Sequence, residues 1–184
     1  MIIKIGIWHA WIFMSVFIIQ MIVIMFVNKR IWQRSHVPND ARQSVIDKSI
    51  GSIANLAWLL ALGYSIFLPL LLGTIWFYIG FSVFVFGTIL LSFATYSFIT
   101  TPTDQLIQNG VYNFSRHPMY LATFMICLGT SIATLSWIFI LLSVIIAICF
   151  YFEARLEERY CRKIYRDLYE EYMDKVPRWL GIPK

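Results

Sequence analysis

Residues 106–120 read Leu-Ile-Gln-Asn-Gly-Val-Tyr-Asn-Phe-Ser-Arg-His-Pro-Met-Tyr, a polar stretch between two long apolar parts of the chain. Gly110 accommodates a turn that a side chain would disfavour. Pro118 has a preset φ and no N–H, which suits the first position of a helix, so His117 is the predicted N-cap. Arg116 and His117 then lie at a helix N-terminus, where unpaired N–H groups favour an anion. The stretch therefore predicts a site for a charged cofactor at a membrane surface.

The composition indicates an integral membrane protein. Of the 184 residues, 59% are hydrophobic and 14% are charged, and no Asp, Glu, Lys or Arg occurs in residues 5–27, 49–103 and 118–152. Such uncharged tracts are typical of membrane-spanning helices. Because they take up most of the chain, the remainder is too short for a doubly wound nucleotide-binding domain. A cofactor must therefore bind to the helices and their connecting loops.

The net charge of +5 is explained by membrane topology, not by nucleic-acid binding. Of the 15 Lys and Arg residues, all except Lys4 fall in residues 28–50, 100–118 and 153–184. Positive residues mark the cytoplasmic side of a membrane. We therefore expect loops 28–50 and 100–118 and the C-terminus to be cytoplasmic, with basic side chains near acidic lipid headgroups.

The predicted fold class is an all-α integral membrane protein with five transmembrane helices and a C-terminal amphipathic cytoplasmic helix. A single membrane domain, residues 1–184, would have spans at about 5–27, 53–72, 75–99, 119–133 and 137–152, and a cofactor-binding loop at 100–118. Residues 119–152 are divided because one helix of that length would measure about 51 Å, against a hydrocarbon core of about 30 Å. Apolar residues recur every four positions in 153–174, which predicts an interfacial helix.

Three further features limit the interpretation. No small-residue cleavage site follows the first apolar tract, so we expect it to be a retained span and not a signal peptide. Cys127, Cys149 and Cys161 form no C-x-x-C pair and are expected to be reduced packing residues. No metal-ligand cluster is visible in the sequence, so no metal is expected.

A second polar cluster starts where the last apolar tract ends. Glu153 and Glu157 are four residues apart and therefore share one face of a helix near the membrane surface. Carboxylates at that depth are costly without partners. Spacing alone leaves two explanations open: ion pairs with Arg155, Arg159 or Arg116, or a bound ligand.

One pattern joins the two clusters: Gly110-x-Tyr112-x-x-x-Arg116-His117-Pro118-x-Tyr120, a hydrophobic hairpin, Glu157-Glu158, Tyr165…Tyr169-x-x-Tyr172 and Val176-Pro177-Arg178. This pattern resembles the membrane methyltransferases of the isoprenylcysteine carboxyl methyltransferase and phospholipid methyltransferase superfamily. The resemblance covers about residues 75–183, while the first two spans match only in hydropathy.

The resemblance implies that S-adenosylmethionine binds between the loop and the C-terminal helix. The implied cofactor-binding residues are Asp104, Gln105, Leu106, Ile107, Gly110, Tyr112, His117, Pro118, Met119, Tyr120 and Glu157. A helix N-terminus suits the carboxylate of this cofactor, a Glu suits its cations, and Tyr rings suit the sulfonium. The catalytic candidates are Arg116, Glu153 and Glu158, either Glu being a possible acceptor of a substrate proton.

The chain departs from the family pattern at three positions. Asp104 stands where carboxyl methyltransferases usually have His, and Arg166 replaces a usual Gly. Glu153 stands where they have an Arg that holds the substrate carboxylate. Arg155 is a poor substitute, because it lies about 200° from that position around the helix. The Glu153 departure leaves a lipid amine or another apolar acceptor open.

The predicted function is S-adenosylmethionine-dependent methyl transfer, similar to that of isoprenylcysteine carboxyl methyltransferases, to a lipid-like substrate at the cytoplasmic membrane face. The expected partners are this substrate, entering from the bilayer, and membrane lipids, with no nucleic acid and no metal. Three alternatives stay open: a phospholipid or amine N-methyltransferase, an NADPH-dependent membrane reductase, and a non-enzymatic membrane assembly protein.

Overall fold

The computed structural model of this chain describes residues 8–27 and 44–181. Within them the fold is all-α, as predicted, and the sole extended pairing is a β-bridge between His9 and Pro69. The α-helices are α1 (Trp11–Val27), α2 (Val45–Ser65), α3 (Ile75–Thr100), α4 (Pro118–Thr134), α5 (Trp137–Tyr165) and α6 (Asp167–Lys175), and a 3₁₀ helix covers Gly110–Asn113.

Three of these helices, α2, α3 and α5, are long and apolar enough to cross a membrane. Helices α1 and α4 are also apolar, but each has 17 residues, fewer than the roughly 20 of an ordinary span. The apolar helices indicate an integral membrane protein, and a total of five crossings stays a prediction.

Helix α2 begins earlier than the span predicted at 53–72. Its first residue is Val45, and Ser44 is its N-cap. The Ser44 Oγ accepts a hydrogen bond from the Asp47 backbone N–H at 3.0 Å, which pairs one of the N–H groups that a helix start leaves free. The cap residue, and not the start of the apolar tract, therefore sets this end of the helix.

The same helix also ends earlier than predicted, at Ser65. Pro69 has no N–H and disfavours helix in the residue before it, so the chain leaves the helix ahead of the proline. The following segment lies against the residues before α1, and the Ala10 N–H donates to the Leu68 carbonyl oxygen at 2.8 Å. The apolar end of the predicted span is thus an ordered connection.

The start of α4 and the break before α5 are both determined by local sequence. His117 is the N-cap of α4 and Pro118 is its first residue. After α4, Leu135 adopts a positive φ of 49°, and Ser136 caps α5 by accepting a hydrogen bond from the Phe139 N–H at 3.2 Å. The break at Leu135 and Ser136 lies between the predicted spans 119–133 and 137–152.

Helices α3 and α4 form the most extensive helix pair in the described fold. Their close approach depends on glycine, because a Cβ at Gly129 would lie 2.6 Å from both the Gly80 carbonyl oxygen and the Phe84 nitrogen. Small residues at such a crossing are typical of helix packing in membranes. The pair fixes the start of α4 relative to the end of α3.

The prediction of one helix over residues 153–174 is wrong at Arg166. Helix α5 runs without interruption for 29 residues and ends before Arg166, which has φ 46° and ψ −125°. Helix α6 then begins at residue 167 and packs on the loop before α4. There the Tyr172 hydroxyl donates to the Tyr112 carbonyl oxygen at 2.7 Å.

The C-terminal strap, residues 176–181, runs beside the loop that precedes α4. The Arg116 N–H donates to the Pro177 carbonyl oxygen at 3.1 Å, and the Gly181 N–H donates to the Phe114 carbonyl oxygen at 3.2 Å. These bonds hold the strap against the loop. One end of the fold therefore contains the loop before α4, the polar half of α5 (residues 153–165), α6 and the strap.

Candidate functional site

A cavity of ≈ 260 Å³ lies between the loop before α4, the polar half of α5 and helix α6. Its lining is dominated by aromatic side chains, and we call it the tyrosine cavity. The tyrosines that line it are Tyr112, Tyr120, Tyr160, Tyr165, Tyr169 and Tyr172. Charged or ionisable side chains reach it from the loop and from α5, namely Arg116, His117 and Glu157.

Next to the cavity, Glu158 is the centre of a buried ionic cluster. Its side chain is 2% exposed, and Arg116 Nη2 lies 2.9 Å from its Oε1. Arg178, from the C-terminal strap, donates from Nε to Oε1 at 2.9 Å and from Nη2 to Oε2 at 2.6 Å. A buried carboxylate needs such pairing to stay charged. The cluster thus joins the loop, α5 and the strap through one carboxylate.

His117 connects this cluster to the cavity. Its Nδ1 lies 3.3 Å from Glu157 Oε2, and its Nε2 lies 3.4 Å from Glu158 Oε1. An imidazole donates from both ring nitrogens only when it is protonated. Burial alone would lower the pKa of His117, but the hydrogen bonds and charges of Glu157 and Glu158 outweigh it, and the pKa is raised above 6.5.

The pKa of Glu158 shifts in the opposite direction. Burial alone would raise it, but the hydrogen bonds from His117 and Arg178 and the charge of Arg116 hold the pKa well below its usual range. The residue lies beyond the predicted span 137–152. Glu158 is therefore an ionised carboxylate whose two oxygens are both engaged by cations.

Glu157 faces the cavity and is held by Tyr120. The Tyr120 hydroxyl donates a hydrogen bond to Glu157 Oε1. The Tyr120 ring stacks on Phe150 at a centroid distance of 4.4 Å and lies parallel to the His117 ring at 5.6 Å. With its side chain 32% exposed, Glu157 keeps access to the cavity while its orientation is fixed from two sides.

Arg116 carries the one unpaired buried side-chain donor that occurs within residues 8–27 and 44–181. Its Nη1 donates to the Met173 carbonyl oxygen at 3.1 Å, and its Nη2 pairs with Glu158, but its Nε has no hydrogen-bond partner. A buried donor without a partner costs roughly 1–3 kcal/mol. Since Arg116 lines the tyrosine cavity, a ligand acceptor in the cavity is a suitable partner for this N–H group.

The structure brings eight of the predicted site residues into the lining of the tyrosine cavity. They are Leu106, Ile107, Tyr112, Arg116, His117, Met119, Tyr120 and Glu157. Two ends of the predicted pattern, the loop and the acidic start of the tail, therefore meet. The imidazole of His117 and the carboxylate of Glu157 are in direct contact, with Nδ1 3.3 Å from Oε2.

Six predicted residues do not line the cavity: Asp104, Gln105, Gly110, Pro118, Glu153 and Glu158. Asp104 and Gln105 are exposed in the loop. Gly110 has φ +59°, and a Cβ there would lie 2.5 Å from the Ser97 hydroxyl, so this glycine shapes the loop. Glu153 is buried on α5, one turn before Glu157.

Sequence reasoning missed much of the wall formed by α5 and α6. Tyr160, Cys161 and Ile164 line the cavity, whereas the four-residue spacing in 153–174 predicts only the apolar face of an interfacial helix. A stripe of tyrosines, which combine an aromatic face with a polar tip, was the available signal. In the sequence Arg178 is only part of the C-terminal pattern, because its pairing with Glu158 depends on the tertiary fold.

A candidate metal site does not occur in the described part of the chain, since no three His, Cys, Asp or Glu residues there are grouped to hold an ion. Fold and site together define a helical membrane protein with an aromatic cavity next to a buried ionic cluster. A sequence profile described as phospholipid methyltransferase matches residues 65–168. The chain belongs to this family, which confirms the superfamily predicted from the sequence.

Two curated relatives are yeast enzymes named protein-S-isoprenylcysteine O-methyltransferase. The Saccharomyces cerevisiae protein is 34% identical over 79 residues, which is 42% of this chain and 32% of the relative. The Schizosaccharomyces pombe protein is 36% identical over 80 residues, which is 42% of this chain and 33% of the relative. The matched segments therefore span about a third of each relative's length.

Proposed function

We propose that this protein is an integral membrane methyltransferase that uses S-adenosylmethionine to methylate a lipid-like substrate at the cytoplasmic face. The observation that carries the proposal is the position of His117. It contacts Glu157 at 3.3 Å and Glu158 at 3.4 Å, and both His117 and Glu157 line the tyrosine cavity. The family pattern contains two segments, the loop before α4 and the tail that starts at Glu157. Both segments line the same cavity.

The chemistry of the lining fits this cofactor. The unpaired Arg116 Nε–H is a donor for its carboxylate, and the carboxylate of Glu157 is a partner for its ammonium group. Tyrosine faces such as those of Tyr112 and Tyr169 suit both an adenine ring and a sulfonium cation. When bound, the cofactor supplies a methyl group that is already activated on sulfur.

The residues of the chain would contribute alignment and exclusion of water. Tyr120 and His117 fix the orientation of Glu157 at the cavity, and the tyrosine rings shield the interior. Preorganised groups of this kind lower the barrier of a displacement by holding the reactants in line. We assign Glu158 a positioning role, because both its oxygens are occupied by Arg116 and Arg178.

The topology proposed from the charge distribution has five crossings. Loops 28–50 and 100–118 and the C-terminus would be cytoplasmic, with a single membrane domain over the chain. The three long apolar helices and the two shorter ones, α1 and α4, support this arrangement. Residues 28–43 of the first loop lie outside the described residues.

The acceptor is proposed to be a lipid-like molecule that enters from the bilayer. The yeast relatives, by name, methylate an oxygen of an isoprenylcysteine protein. Glu153 replaces the arginine that the family uses to hold a substrate carboxylate, so a phospholipid or amine acceptor is the second candidate. Lipid extracts incubated with a radiolabelled methyl donor and then separated distinguish these classes by the product that carries the label.

Binding of the donor is tested by calorimetric titration of the protein in detergent with S-adenosylmethionine and with S-adenosylhomocysteine. We expect saturable binding, weakened by Glu157→Ala and by His117→Ala. NADPH in the same titration should give no signal, whereas saturable NADPH binding would support the reductase alternative. Absence of any donor binding by folded wild-type protein would contradict the proposal.

A further inference from the structure

A second cavity, of ≈ 500 Å³, lies on the opposite side of α5 from the tyrosine cavity. It is bounded by the start of α2, the polar half of α5 and the C-terminal strap. We call it the arginine cleft, because Arg155, Arg159, Arg162 and Arg178 line it. The two cavities share no lining residue.

Three of these arginines form a row on one face of α5. Arg155, Arg159 and Arg162 are at positions i, i+4 and i+7, which lie within about 60° of each other around a helix axis. The row extends for about 10 Å along the helix at 1.5 Å per residue. Glu157 and Tyr160, at intervening positions, line the other cavity. Helix α5 thus presents a cationic face to the cleft.

The cleft has an excess of positive charge. Its four arginines face two carboxylates, those of Asp47 and Glu158. Arg159 Nη2 pairs with Asp47 Oδ1 at 3.1 Å, and Arg178 pairs with Glu158. Within the described part of the chain, Arg155 and Arg162 form no ion pair. Among the described residues, these two guanidinium groups are therefore available to bind an anion.

The Tyr151 ring, which is not part of the cleft lining, lies close to two of the guanidinium groups. The Cζ atoms of Arg155 and Arg178 lie 6.0 Å and 5.8 Å from the centroid of the Tyr151 ring. A guanidinium at that distance from a ring face is attracted to it and keeps its N–H edge available. A planar fork of N–H donors suits the oxygens of a phosphate group.

The rim of the cleft is apolar and exposed. Ile46 is 69% exposed and Phe152 is 41% exposed, and both line the cleft. Phe152 is the last residue of the uncharged tract 118–152, so the arginine row begins where the apolar part of α5 ends. Lipid phosphates lie at the ends of apolar spans, where basic residues attract anionic lipids.

From this arrangement we propose that the arginine cleft binds the phosphate headgroup of an anionic membrane lipid, with the acyl chains along the apolar rim. The site is separate from the tyrosine cavity and does not depend on methyl transfer. Arg155 and Arg162 supply the unpaired donors, while Arg159 and Arg178 stay paired with Asp47 and Glu158.

The proposal is tested with wild-type protein in mild detergent, titrated with phosphatidylglycerol or phosphatidylcholine and examined by native mass spectrometry. We expect phosphatidylglycerol to bind more tightly, and Arg155→Gln/Arg162→Gln to weaken that binding by about tenfold. Lys163→Gln/Lys175→Gln is the matched control, because both lysines are exposed, lie outside the cleft and carry the same total charge.

Three results would overturn the proposal. They are equal binding of the two lipids, an equal loss in the control variant, and full competition by glycerol 1-phosphate, which would indicate a soluble phosphate compound instead of a lipid. Circular dichroism checks that each variant is folded, and Arg162→Gln alone provides a milder change. Since the readout is lipid binding, it succeeds or fails independently of donor binding in the tyrosine cavity.

Discussion

Arg178 and Glu158 form a bidentate pair, with Arg178 Nε 2.9 Å from Oε1 and Nη2 2.6 Å from Oε2 of the carboxylate. The pair ties the C-terminal strap to α5, and Arg116 ties the loop before α4 to the same carboxylate at 2.9 Å. Glu158 therefore determines how three segments meet, while its neighbour Glu157 faces the tyrosine cavity. Two adjacent carboxylates thus have separate roles.

Replacing Glu158 should affect stability, and replacing Glu157 should affect donor binding. In Glu158→Gln the buried Arg116 loses its counter-charge, so we expect a loss of about 3–5 kcal/mol in the free energy of unfolding. Glu157→Gln, at a side chain that is 32% exposed, should change the melting temperature little and weaken binding of S-adenosylhomocysteine. Thermal unfolding in detergent measures the change in stability, and calorimetry in the same detergent measures binding of S-adenosylhomocysteine. A Glu158→Gln protein as stable as wild type would contradict this division of roles.

The sequence predicted the features that depend on local chemistry. Pro118 can begin a helix but cannot continue one, so the start of α4 could be located. Glu153 and Glu157 are four residues apart, so they share a helix face whatever the tertiary arrangement is. The contact between the loop and the acidic part of α5 followed from the family pattern and not from spacing.

The features that the sequence could not predict depend on tertiary packing. Adjacent residues on a helix point about 100° apart. The family pattern separated the roles of Glu157 and Glu158, but spacing alone does not show that Glu157 faces the cavity and Glu158 faces the arginines. The start of α2 at Val45 was missed, because the cap at Ser44 outweighed the edge of the apolar tract. The break at Arg166 was missed because arginine does not mark a helix end.

Arg166 is expected to be a strained residue, and glycine there should stabilise the protein. Its φ of 46° and ψ of −125° lie in a region that side chains other than glycine rarely adopt. The family usually has Gly at this position, which agrees with the backbone conformation. We expect Arg166→Gly to raise the free energy of unfolding by about 1 kcal/mol.

The control for this change is Lys163→Gly, three residues earlier within α5. Glycine inside a helix costs about 0.5–1 kcal/mol, so this variant should be less stable than wild type. Melting temperatures of the two variants in the same detergent measure the effect. A decrease in both variants would show that the α5–α6 junction does not need a glycine-like conformation.

The raised pKa of His117 predicts how stability depends on pH. In the folded protein His117 contacts Glu157 and Glu158, and these contacts are ion pairs when the imidazole is protonated. Its stabilising contribution is therefore fully present below the unfolded pKa of 6.5 and is lost as the pH rises through the raised folded pKa. We expect the melting temperature to decrease over that window, and His117→Gln to remove this part of the decrease. The variant His9→Gln, at the other end of the fold, should retain it.

Arg116 should distinguish donor ligands that have a carboxylate from those that lack one. Arg116 lines the tyrosine cavity and its buried Nε–H has no partner among the described residues, whereas lysine keeps the charge but has no equivalent N–H group. Because a hydrogen bond between charged groups contributes about 1.5–3 kcal/mol, Arg116→Lys should weaken binding of S-adenosylhomocysteine by about tenfold or more. Methylthioadenosine, which lacks the carboxylate and ammonium groups, should bind the wild type and the variant with equal affinity. Calorimetry of both ligands provides its own folding control, and an equal loss for the two ligands would show that Arg116 does not bind the carboxylate.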